Sequence, residues 1–141
     1  MPSKISLFLF AGFLGIYSFP AAALETKEKT LTNAVKKASE LINFQIEEEP
    51  NILRLVILGN GRIEAYRSHI LNQPLRFIVD IPNVTLRDRK EFIPIIHPAV
   101  EVIRLGLHPD KVRIVFDFKG VVIPRYRIFQ RDHSLIISIE T

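Results

Sequence analysis

The residues with most chemistry to offer are arginines and aspartates at one repeated spacing. Arg76-Phe77-Ile78-Val79-Asp80 and Arg113-Ile114-Val115-Phe116-Asp117 both spell Arg-x-aliphatic-x-Asp. A guanidinium is a planar fork of donors that fits a carboxylate or phosphate bidentately. Both segments alternate apolar and polar residues, so each is a strand, with its Arg and Asp on one face and its bulky apolar residues on the other. Within one strand the two charges lie two pleats apart, about 13 Å, too far to pair. Each must pair across to a neighbouring strand, which fixes register, or meet a ligand from outside. Arg104, in Val102-Ile103-Arg104-Leu105-Gly106, joins the same Arg surface.

No other constellation points to catalysis. His69, His97, His108 and His133 form no H-E-x-x-H or i, i+4 pair, and the chain has no cysteine. Ser68 and Ser134 lack a nucleophile-elbow context. Glu47-Glu48-Glu49 reads as a solvated charge run, and the glycines spell no phosphate loop. The expectation is a protein without enzymatic activity, metal or cofactor. Nor does the absence of cysteine leave room for a disulfide framework or a lipidated cysteine.

The net charge of +4 hides a split. Residues 25–50 carry four lysines against six glutamates; residues 51–141 carry fourteen basic against nine acidic residues, eleven of the fourteen being arginine. The later part therefore favours an anionic partner, the plain alternative being a basic solvated surface.

These side chains need a scaffold, and the chain supplies one after an export leader. Lys4, the apolar run Ile5 to Phe19 and Pro20-Ala21-Ala22-Ala23 read as a signal peptide (residues 1–23) cleaved after Ala23. The run falls short of the roughly 20 residues a spanning helix needs, and an uncleaved anchor is the alternative. Residues 24–40 read as a leader, either a short helix on Leu31, Val35 and Ala38 or a mobile segment. The mature protein is expected to be periplasmic, without a membrane-spanning helix and without nucleic acid as a partner.

From residue 41 to the end the period is two. Strands are read at Ile42–Glu47, Ile52–Leu58, Arg62–Ile70 and Leu75–Ile81, and again at Val100–Leu107, Lys111–Phe118, Ile123–Gln130 and Leu135–Glu140. Asn60-Gly61 reads as a hairpin turn, and residues 83–98 as a charged connection pinned by Phe92-Ile93 and Ile95-Ile96. The two halves overlay at an offset near 60 residues. Ile42, Phe44 and Ile46 fall on Ile103, Leu105 and Leu107; Arg54 on Arg113, Gly61 on Gly120, Tyr66 on Tyr126 and Leu75 on Leu135. The predicted fold is an all-β sandwich of two pseudo-symmetric four-stranded sheets. Its inner faces include Phe44, Leu53, Leu55, Phe77, Val79, Leu105, Ile114, Phe116, Ile128 and Ile137, and the Arg54 and Arg113 strands are central.

A signal peptide, Leu53-Arg54-Leu55-Val56-Ile57-Leu58-Gly59, Tyr66, the block Asn72-Gln73-Pro74-Leu75-Arg76-Phe77-Ile78-Val79-Asp80-Ile81-Pro82-Asn83, then Ile103-Arg104-Leu105-Gly106 and Val112 to Phe118, together resemble the AMIN domain. That domain occurs in periplasmic N-acetylmuramoyl-L-alanine amidases and type IV pilus secretins. The resemblance implies two symmetric sheets, binding to peptidoglycan, and localisation of an attached machine. No amidase or secretin domain follows in this sequence, so those activities are not carried over. It makes Arg76, Asp80, Arg104, Arg113 and Asp117 candidates for gripping glycan hydroxyls and stem-peptide carboxylates. Tyr66 and Tyr126 are candidates for stacking on sugar rings, if they are not half-buried core. Two other functions compete: a protein-interaction subunit docking envelope or pilus-assembly components by strand addition, and an accessory remnant of a cell-wall amidase. N-terminal sequencing of the exported protein is expected to begin at Leu24; Met1 on a membrane-held protein would refute the cleavage site.

Overall fold

The computed structural model describes residues 34–141; the signal-peptide segment and Leu31 lie outside the described residues. Ten strands are present among the described residues: β1 (Glu40–Glu49), β2 (Ile52–Gly59), β3 (Arg67–Asn72), β4 (Leu75–Pro82), β5 (Thr85–Leu86), β6 (Phe92–Ile93), β7 (Val100–Leu107), β8 (Lys111–Phe118), β9 (Arg125–Arg131) and β10 (Ser134–Glu140). They form two five-stranded sheets in the orders β5-β1-β2-β10-β9 and β3-β4-β8-β7-β6. The all-β sandwich is as the pattern predicts, but each sheet has five strands rather than four. The extra strand in each is a two-residue piece of the 83–98 connection. β5 runs parallel to β1, and β6 pairs antiparallel with β7.

Each sheet draws one hairpin from each half of the chain. The hairpins β1–β2 and β9–β10 build one sheet, β3–β4 and β7–β8 the other. The halves are thus interleaved, and β2 and β8, the Arg54 and Arg113 strands, lie at the centres. This placement fits their sequence, since both carry aliphatic residues on the outward face as well as the inward one, Val56 and Leu58 on β2 and Val115 on β8. Leu53, Leu55, Phe77, Val79, Leu105, Ile114, Phe116 and Ile137 are buried in one core, with Phe44 and Ile128 packed against it.

The internal symmetry is closer than the sequence overlay, with two corrections. A β-bulge between Leu41 and Asn43 on β1 recurs between Val100 and Val102 on β7. The step between the bulges equals the step from Arg54 to Arg113. Phe44 and Ile46 therefore correspond to Ile103 and Leu105, not to Leu105 and Leu107. The same frame places Phe77, rather than Leu75, on Leu135, because both face equivalent residues of the central strands. A shift of two residues leaves every side chain on its face, so alternation alone cannot find this register.

Asn60-Gly61 is not a hairpin turn. It lies where the chain leaves one sheet for the other, and among the described residues no glycine has positive φ; the non-glycine residues there with positive φ are Asn51, Asn83 and Asp132. Asn60 Oδ1 accepts the Ser39 and Glu40 backbone N–H groups. Gly61 serves close approach: the strap Lys36–Ala38 runs beside it, with Arg62 N donating to Lys36 O (2.7 Å) and Ala38 N to Arg62 O (2.8 Å). The strand read at Arg62–Ile70 accordingly begins only at Arg67, leaving Tyr66 outside it. In the 83–98 connection Ile93 is buried and Ile95 packs on the core, whereas Phe92 and Ile96 point outward.

A methyl group at Gly61 would run into the Lys36 carbonyl and lie 2.7 Å from that of Lys37. Gly61→Ala should cost about 1–3 kcal/mol in chemical denaturation and speed tryptic cleavage at Lys36 and Lys37. Unchanged stability would mean that the strap is not held there.

Candidate functional site

The two Arg-x-aliphatic-x-Asp segments lie antiparallel on adjacent strands. Arg76 stands opposite Asp117, Ile78 opposite Val115, and Asp80 opposite Arg113. Two copies of one motif, run in opposite directions, give each Arg an Asp. Arg113 Nε and Nη2 donate to Asp80 Oδ1 and Oδ2 at 2.8 and 2.9 Å. Lys111 Nζ is 3.2 Å from Asp80 Oδ2. At the other end, Arg104 reaches from β7 and donates both Nε and Nη2 to Asp117, while Arg76 Nε lies 3.4 Å from Asp117 Oδ1. The Arg76 Nε–H is the buried side-chain donor left without a hydrogen bond among the described residues.

Ile78 and Val115 sit between the two ion clusters on the outward face, yet both are buried. In register they are flanked by His69 and Arg104 on the outer strands. Long polar side chains cover apolar neighbours with their stems while their heads stay wet, which accounts for an aliphatic residue inside a charged motif.

The Arg-Asp face thus brings together Arg76, Asp80, Arg104, Arg113 and Asp117. It does not include the tyrosines. Tyr126 packs its ring on the core, 4.3 Å from the Phe77 ring centroid, and Tyr66 stands half-exposed before β3. Beside the face is a groove of about 650 Å³ over Gly106, lined by Arg89, Lys90, Glu91, Arg104, Arg113 and Val115, with leucines at its edges. Gly106 stands opposite Arg113, and its lack of a side chain opens the view down to Val115 and the arginine stems. The far wall is the segment from Leu86 to Glu91. It is held by Arg87, which donates to Glu40 Oε2 at 3.1 and 2.9 Å, and by the Leu105 N–H donating to Glu91 O at 2.7 Å. Arg104 and Arg113 bring their charge already balanced by Asp117 and Asp80. Arg89 and Lys90 have no carboxylate within ion-pair distance among the described residues. Phe92, exposed on β6 opposite Arg104, supplies a flat apolar surface next to the groove. Arg89 and Lys90 carry no sequence signal beyond a charged connection, and Phe92 reads there only as a pin to the core; the fold of that connection brings Arg89 and Lys90 to the groove beside Arg104 and sets Phe92, exposed, opposite Arg104.

The AMIN domain profile matches residues 42–139. The chain belongs to the AMIN domain family. AMIN domains are periplasmic, non-catalytic targeting modules whose general ligand is peptidoglycan. No curated protein sequence matches the chain.

The hydrogen bonds from Arg113, helped by Lys111, outweigh the burial of Asp80 and hold its carboxyl down at about 2, against an ordinary 3.8. Because the folded state holds this proton less tightly than the unfolded chain, the contribution is complete above pH 4–5 and disappears as pH falls through 2. The shift amounts to about 2 kcal/mol. Wild-type stability in urea should therefore fall between pH 4 and pH 2 more steeply than that of Asp80→Asn. Parallel pH profiles would contradict the assignment.

Proposed function

We propose that this protein is a non-catalytic periplasmic module that binds peptidoglycan through the groove over Gly106, and so localises or scaffolds an envelope complex. The observation that carries the reading is the pair of unneutralised cations, Arg89 and Lys90, facing Arg104 and Arg113 across an apolar floor. Peptidoglycan stems are short peptides with small apolar side chains and free carboxylates. A carboxylate entering the groove would meet the free cations first and the outer donors of Arg104 second, each bond being charge-assisted. Methyl groups would lie on Val115 and the bare backbone of Gly106. A sugar ring of the attached glycan would reach Phe92.

In this reading the Arg-Asp face has two uses. Arg113 with Asp80, and Arg104 with Asp117, fix the register of β4, β8 and β7, and the same arginines form the groove's inner wall. Arg76 and Asp117 lie at the end of that face, where they support Arg104. Tyr66 and Tyr126 are not needed for the contact.

Purified sacculi provide the test. Replacing Arg89 and Lys90 together by Ala should weaken sacculus binding about tenfold, equivalent to about 1.4 kcal/mol, and leave the melting temperature unchanged, since both side chains are exposed. Wild-type binding should weaken with salt, because exposed charges are screened over about 10 Å at 0.1 M. Sacculi stripped of stem peptides should bind less. Binding indifferent to the double substitution, to salt and to stem removal would refute the groove as the site.

A further inference from the structure

Besides the pairing of β5 and β6, the two halves differ at the loop that leaves each central strand. In the first half, the loop leaving the central strand is covered. Ile63 is 2% exposed, and the Lys36–Ala38 strap bonds to both backbone groups of Arg62, forming a parallel bridge at Lys37. At the internal offset that relates Arg54 to Arg113, Gly61 corresponds to Gly120, Arg62 to Val121 and Ile63 to Val122. There the strap's counterpart departs. The Lys119 N–H still donates to Ala99 O at 2.9 Å, as the Asn60 N–H does to Glu40 O. Before Ala99, however, the chain turns inward at His97-Pro98. The buried His97 ring accepts the Ala99 N–H on Nδ1, so it is neutral at that nitrogen. Val121 makes neither of the two backbone bonds that Arg62 makes, among the described residues. The outcome is a bare aliphatic lip: Val121 is 94% exposed and Val122 78%.

Gly120 adds a second observation. Gly61 is glycine because the strap leaves no space for a side chain. Gly120 has no positive φ, and a methyl group there would meet nothing closer than the Val122 nitrogen at 3.9 Å. Nothing within the described residues explains a glycine at 120; an approaching backbone would. β-Branched residues with free backbone groups are suited to strand pairing. Lys119 and Arg125 bracket the lip, and neither has a carboxylate within ion-pair distance among the described residues.

We propose that the Lys119–Pro124 loop is a docking site for an extended, apolar segment of a partner protein flanked by acidic residues, which pairs with Val121 as the strap pairs with Arg62. The site lies at the Val100–Phe118 end of β7 and β8, and the groove at the Leu107–Val112 end, about 20 Å away along the strands. One end of the β7–β8 hairpin can then hold the wall while the other holds a protein.

The probe is a synthetic acetyl-Asp-Val-Val-Ala-Val-Asp-amide peptide, with a lysine-flanked version as control, titrated into the isotope-labelled protein. Amide resonances of Val121 and Val122 should shift saturably with the acidic peptide and much less with the control. Gly120→Ala should keep the wild-type melting temperature and sacculus binding while weakening the peptide about tenfold. Val122→Asp should do the same. Three results would overturn the proposal: no shift at Val121 and Val122, shifts that survive Gly120→Ala, or shifts produced only by vesicles of phosphatidylethanolamine and phosphatidylglycerol, which would make the lip a lipid contact.

Discussion

The structure depends on the antiparallel pairing of one motif with its own duplicate. Arg-x-aliphatic-x-Asp is self-complementary when two copies run in opposite directions, since each Arg then faces an Asp across the pair. A one-residue slip of β4 against β8 would turn Arg76 and Asp80 toward the core, put Phe77 in water and so break both ion clusters. The apolar faces already resist that slip. The charges add discrimination against a two-residue slip, which keeps every face correct but breaks both pairs. This is a role in specificity more than in stability, because half-exposed pairs on a sheet surface contribute little on their own. Asp80 is the exception: it is buried and bound by two cations.

This pairing also explains why the halves are interleaved. The motif strands of the two halves have to be neighbours, so β4 of the first half must join β8 of the second in one sheet. The remaining hairpins must then close the other sheet, with β2 beside β10. A hydrophobic pattern marks which face of a strand is buried but not which sheet it belongs to. For that reason the strands, the core residues and the central position of β2 and β8 were legible in the sequence, whereas the exchange of hairpins was not. Asn60-Gly61 was misleading for a related reason. The dipeptide fits a hairpin, yet the adjacent strands lie in different sheets, and the glycine answers to the Lys36 and Lys37 carbonyls instead of to a turn.

The candidate site was legible in part. Arg76, Arg104, Arg113 and their aspartates could be placed on one face because alternation fixes direction. That the arginines largely neutralise the aspartates, and so leave little free charge, required the register. The cations with free charge, Arg89 and Lys90, lie in a connection without periodicity, where nothing local shows what they will face. Their position comes from long-range contacts, the Arg87–Glu40 bonds and the Leu105–Glu91 backbone bond. Function is thereby divided: a rigid ladder of paired charges supports a groove wall, and the loop opposite supplies the charge a ligand would meet. The duplicated fold has also diverged at its other end, where one half keeps a strap and the other exposes an aliphatic lip.

The most direct test of this account is a double-mutant cycle on Asp80 and Arg113, read as unfolding free energy in urea at pH 7. The account predicts that Asp80→Asn and Arg113→Gln are each destabilising and that the double variant loses less than their sum, with a coupling of about 1–3 kcal/mol. Effects that add to within about 0.5 kcal/mol would contradict it. The paired motif would then be a surface decoration and not the constraint that sets the register.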